Sequence, residues 1–311
     1  MPRFVQFLQH SGVYAEQDFM IVPRPGFNLV CLRDSKDVGL SYDPNRLQVD
    51  TVGFEDVERV ALEYINYRYG KKKSQERDDQ LLRLRTALFA TAPPDSLARG
   101  YKVTARGKDV PELKATRGNI SVKLDVALLP RKDFKIAFKF LRQLDSSDKE
   151  INATRWKPED APWMLTRLNW TFGAQANIFF TQVEADWFPV KKALGPKISR
   201  EDFRTYIVPH KTKGADITCF LVGDYDAKAT EAAGEYLDDQ QVCVVVDQGN
   251  PPVFDYGEAF IGVMAHEIGH FLHHKRNIGG GGHHDRGGIL LSSGMESLSL
   301  DKGLVTDFTA W

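Results

Sequence analysis

Two imidazoles four residues apart can meet at one point when the backbone between them is helical, and His266-Glu267-Ile268-Gly269-His270 has that spacing. Positions i and i+4 of an α-helix lie one turn apart on the same face. The surrounding residues agree: Phe260, Met264, Ile268, Phe271 and Leu272 form an apolar stripe, and His266, His270 and His274 fall on another face. Six of the eight histidines lie between His266 and His284. His-Glu-x-x-His on a helix is a zinc-hydrolase pattern with a mechanical basis. The histidines supply two ligands to Zn2+, and the glutamate beside them is placed to take a proton from water. The alternative is a buried amphipathic helix that happens to carry histidines.

A catalytic zinc usually takes three protein ligands. His273 and His274 adjoin the motif, but eight residues of helix carry His274 about 12 Å along the axis from His266. The third ligand is therefore expected from elsewhere. Asn277-Ile278-Gly279-Gly280-Gly281-Gly282 ends the helix pattern with glycines able to reverse the chain, and His283-His284-Asp285 follows directly. A reversed chain could return His283 or His284 to the metal. The other reading of this stretch is a flexible glycine-rich loop with solvent-exposed histidines. Asp285 could orient a ligating imidazole or cap the loop.

These residues resemble the metzincin clan of zinc endopeptidases, whose extended motif is His-Glu-x-x-His-x-x-Gly-x-x-His, often followed by an acidic residue. His266, Glu267 and His270 match it. Gly281-Gly282-His283-His284-Asp285 would supply the rest after an insertion of about eight residues, because Arg276 stands where an uninterrupted motif has its histidine. The resemblance implies zinc held by His266, His270 and His284, with His283 as the alternative third ligand. It also implies a methionine turn after that ligand. In Gly288–Met295 either Leu291 replaces the methionine or Met295 supplies it in a shifted register. The chain has no tyrosine after Met295. In thermolysin-like enzymes the third ligand is a downstream glutamate, and Glu296 is the residue so placed here.

The rest of the composition sets bounds. The chain has 311 residues, of which 42% are hydrophobic and 27% charged, with a net charge of −1. That is an ordinary soluble balance with room for two domains, and it gives no electrostatic reason to expect nucleic acid. The one dense basic run, Lys71-Lys72-Lys73, beside Glu76, Asp78 and Asp79, suggests a solvated hairpin tip. No apolar run is long enough to span a membrane. Met1-Pro2-Arg3-Phe4-Val5-Gln6 lacks the core of a secretory signal, which leaves a cytoplasmic location or non-classical export. Cys31, Cys219 and Cys243 sit in apolar, strand-like contexts that suggest buried thiols, with no disulfide framework. Cys31 as a latency thiol is the lesser reading.

Up to about residue 125 the pattern is mostly period two, as in Arg59–Tyr64 and Leu82–Leu88, with turn-rich breaks at 34–37, 43–45 and 92–95. This predicts a β-rich, sandwich-like accessory domain over 1–125 for recognition, docking or folding support. From 126 to 311 the expectation is an α+β catalytic domain. Its strands are expected at Phe134–Leu141, Asn177–Phe180, Asp216–Val222 and Val242–Val246, with a helix over Pro158–Gln175 and a short edge strand at Gly234–Leu237. That order resembles the metzincin mixed sheet, on which an edge strand over the zinc binds extended peptides through backbone hydrogen bonds. The expected function is zinc-dependent hydrolysis of a protein or peptide, with Glu267 as general base. Two alternatives are a catalytically impaired zinc- or peptide-binding domain and a narrow-specificity protease toxin or effector.

Overall fold

Fully apolar β-branched runs and alternating runs become the strands of an α+β architecture in the computed structural model. It describes residues 1–6, 19–69, 71, 77–79, 81–82, 84–85, 98–107, 110–145, 147, 149–190, 194, 197–226, 234–247 and 256–275. The described residues divide into two compact units, the first drawn from 1–131 and 173–177, the second from the rest.

The first unit holds two four-stranded sheets. Its strands are β1 (Arg3–Gln6), β2 (Phe19–Arg24), β3 (Phe27–Arg33), β4 (Gly39–Ser41), β5 (Leu47–Thr51), β6 (Ala98–Ala105), β7 (Glu112–Arg117) and β8 (Ile120–Pro130). One sheet runs β1-β3-β6-β5 and the other β2-β8-β7-β4. Val30, Leu32 and Val103 of the first share a buried cluster with Met20, Leu124 and Val126 of the second, so the two pack face to face as the sandwich-like pattern predicts.

The alternation at Arg59–Tyr64 does not make a strand. Those residues lie in helix α1 (Val57–Tyr69), and Val57, Val60, Ala61, Tyr64 and Ile65 bury against Phe27, Leu29 and Cys31 of β3. Their spacing is i, i+3, i+4, i+7, i+8, the helical period, which outweighs a six-residue alternation once a sheet face needs covering. Leu82, Leu84 and Arg85 are helical as well, not a strand. The remainder of that expected strand, Arg83 and Thr86–Leu88, lies outside the described residues. Lys71 follows α1 as an exposed residue, so it does not sit on a hairpin between strands.

The second unit is built around β9 (Lys132–Leu144). It pairs in parallel with β11 (Ile178–Val190) and β12 (Ile217–Val222), and antiparallel with the short β10 (Glu150–Ala153). Helix α2 (Ala161–Ala176) links β10 to β11. Beyond β12 come β14 (Val242–Val246), parallel, and β13 (Gly234–Leu237), antiparallel at the end of the strand order. Every residue of β12 and β14 is buried, as central parallel strands covered on both faces require. One face carries α2 and α3 (Tyr256–Lys275), with Phe134 of β9 edge-on to Phe271 of α3. The other is covered by the helical segment Arg200–His210, whose Phe203 and Ile207 pack with Phe188, Phe220 and Val244. Among the described residues no helix is long and apolar enough to cross a membrane.

Candidate metal and catalytic site

Helix α3 lies over β13 and β14 because its apolar stripe needs a sheet to bury against. Phe260, Met264, Ile268, Phe271 and Leu272, the residues of that stripe, are all buried. His266 and His270 are half-buried, one turn apart, with ring centroids 4.6 Å apart and planes at 81°. Their Nε2 atoms approach to 3.0 Å. Two nitrogens bound to one tetrahedral zinc at about 2.0–2.1 Å lie roughly 3.3 Å apart, so this pair fits such an ion within a few tenths of an ångström.

Glu267 turns inward between them and is only 5% exposed. It reaches β13 at Gly234. A Cβ there would stand 3.0 Å from both Glu267 Cγ and Oε1 and 2.9 Å from the Val244 carbonyl oxygen, so only glycine admits the carboxylate this close to the strand. Burial, followed by the charge of Glu235, pushes the Glu267 carboxyl up to about 8, and a hydrogen bond from the Tyr236 backbone N–H opposes them. Glu235 is itself anchored: Arg200 lies 2.5 Å from one carboxylate oxygen, and the Tyr225 hydroxyl donates to the other at 2.7 Å. Burial and the neighbouring Glu235 carboxylate raise the Tyr225 phenol above its ordinary value. Arg204 adds a two-pronged contact to Asp239, at 2.7 and 3.2 Å, in the turn between β13 and β14. Segment Arg200–His210 thus secures the edge hairpin from the face opposite α3.

Of the residues singled out in the sequence, His266, Glu267 and His270 are brought together. His283, His284, Asp285, Leu291, Met295 and Glu296 lie outside the described residues. Among the described residues no third His, Cys, Asp or Glu joins the histidine pair. Helix α3 runs through Lys275, so the axial rise that separates His274 from His266 applies to it. The edge strand Gly234–Leu237 was expected, but the contact of Gly234 with Glu267 and the Arg200–Glu235–Tyr225 anchor were not. Only Gly234 left a trace in the sequence, since a glycine opening a short strand often marks a close approach.

No family model matches the chain, and no curated protein matches it. Among solved structures, the zinc-dependent peptidase from Methanocorpusculum labreanum (strain Z) is similar at 13% identity, covering 56% of this chain and 100% of its own, with a TM-score of 0.36. A likeness that loose carries no functional argument.

Proposed function

We propose that the chain is a zinc-dependent peptidase of metzincin-like type. The observation that carries this reading is the convergence of the His266 and His270 Nε2 atoms, with the buried Glu267 between them on the same helix. His266, His270 and a third donor would hold the ion. His284 is the proposed donor, with His283 and Glu296 as the alternatives. Zinc, when bound, supplies Lewis-acid polarisation of a carbonyl and of water. Glu267 accepts a proton from the attacking water and delivers it to the leaving amine. β13, with Glu267 against its first residue, offers an extended peptide the backbone of an edge strand. The β-rich region 1–125 is assigned an accessory role, and 126–311 the hydrolytic one.

A second reading, motivated by Leu291 at the methionine position and the insertion of about eight residues beyond Leu272, is zinc or peptide binding without turnover. One set of measurements separates them. Glu267→Ala should retain one zinc per chain and lose hydrolysis of a peptide library by about 10²–10⁴-fold. His266→Ala should lose both metal and activity. Zinc bound at unit stoichiometry with no turnover by the native chain would favour the second reading, and full activity in Glu267→Ala would sink the first.

A further inference from the structure

Beneath α3, β12 and β14 carry the second unit's two described cysteines at directly paired positions, Cys219 opposite Cys243. Both side chains point to the α3 face, since the neighbours Phe220 and Val244 belong to the cluster on the other face. Both are fully buried, and their Sγ atoms lie 3.0 Å apart. Adjacent strands place paired Cα atoms roughly 4.8 Å apart, inside the window of about 4.4–6.8 Å that a disulfide requires. A disulfide bond is about 2.05 Å long, so closing the pair brings the two sulfurs together by roughly 1 Å, and both already stand on one face of the sheet at paired positions.

We propose that Cys219 and Cys243 are a disulfide-forming pair, closed by exchange with a small-molecule disulfide such as oxidised glutathione. One cysteine thiolate attacks the glutathione S–S bond, forms a mixed disulfide and releases one glutathione thiolate. The second cysteine thiolate then displaces the other glutathione. Two protein thiols give up two protons and two electrons, and one glutathione disulfide becomes two thiols. Once the strands have paired the reaction is shut off: burial first, then Cys219 and Glu267, hold the Cys243 thiol well above its ordinary value, and neither sulfur is exposed. Closure therefore belongs to the folding chain. The loop it closes spans 24 residues and contains β13, the strand against which Glu267 rests. Oxidation thus constrains the edge of the site whether or not the protein hydrolyses anything. Cys31, buried alone in the first unit, stays a thiol and serves as an internal control.

The test uses the full chain, unfolded in urea and refolded in glutathione buffers stepped from reducing to oxidising. Each sample is quenched in acid, unfolded, alkylated with N-ethylmaleimide and weighed intact. The expected masses pass from three adducts to one without a populated two-adduct species. C31S should pass from two adducts to none, and C219S and C243S should show no two-adduct loss. The oxidised protein should melt several degrees above the reduced one, as closing such a loop predicts. Native protein held for days in the same buffers with sub-denaturing urea should reach the same end states through transient opening, far more slowly than the refolding chain. Three adducts at every ratio in both arms would overturn the proposal, as would a persistent glutathione adduct or a two-adduct loss in C243S.

Discussion

Glu184 and Glu267 are carboxylates of the same unit, one on β11 and one on the helix above β13, and their surroundings treat them in opposite ways. Glu184 lies 2.8 Å from Lys139 Nζ, which also reaches Asp186 at 2.9 Å, and it accepts a hydrogen bond from the Thr212 hydroxyl. The hydrogen bond from Lys139, and then that from Thr212, hold its carboxyl below the ordinary range. Burial pushes Lys139 down, but Glu184 and Asp186 more than offset it. Burial raises the Glu267 carboxyl, the Glu235 charge adds to it, and among the described residues no cation is paired with it. A network that only holds strands together compensates its charges. Glu267, buried on the helix that carries the two imidazoles, is not compensated in that way among the described residues.

The largest stability effect should come from removing the compensation. Lys139→Met leaves two carboxylates facing each other and should cost about 2–3 kcal/mol in urea unfolding, less than a fully buried pair because both carboxylates are partly exposed. Glu267→Gln in chelator-treated protein should cost nothing at neutral pH, or stabilise. If both substitutions cost the same, the contrast fails.

The pH dependence should also differ in sign. Between about 4.5 and 8 the unfolded chain releases the Glu267 proton that the folded chain keeps, so this group's contribution falls as pH rises across that window. Glu184, held low, contributes stability above its ordinary value of 4.5 and loses it as pH falls through the folded value. Unfolding midpoints of metal-free protein from pH 4 to 9 should show the first slope disappear in Glu267→Gln and the acid-side loss persist.

Gly234→Ala should have a smaller effect on stability, about 1–2 kcal/mol, because the new methyl meets the Val244 carbonyl and the Glu267 side chain. Its turnover should drop more than its zinc content, and unchanged turnover would detach β13 from the site. Glu235→Gln should be the mildest. It removes the like charge near Glu267, so the loss of stability with rising pH in metal-free protein should shrink and end at a lower pH, while the Tyr225 hydroxyl bond is kept.

The elements of the second unit were legible because their signals are local. Val242–Val246 is a strand as its β-branched run predicts, Ile217–Val222 follows the expected stretch closely, and Phe260–Leu272 carries an unbroken helical stripe. Arg59–Tyr64 misled because six residues can satisfy periods of two and of 3.6 at once, and only the wider span from Val57 to Ile65 separates them. The histidine pair could be foreseen from one helical turn. The Arg200–Glu235–Tyr225 anchor and the Lys139–Glu184–Thr212 network could not, since each joins residues that only the folded sheet brings together.

The central position of β9 also has a cost in time. Its long edge toward β12 must wait for a partner that begins at Ile217, roughly 70 residues after β9 ends, while only the last turn of that edge is met early by β10. At typical translation rates that is about 4–14 s during which an apolar strand, Phe134 to Leu141, is available to the wrong neighbour. Yield in cells should therefore depend on how well that edge is shielded during synthesis as well as on the finished protein's stability.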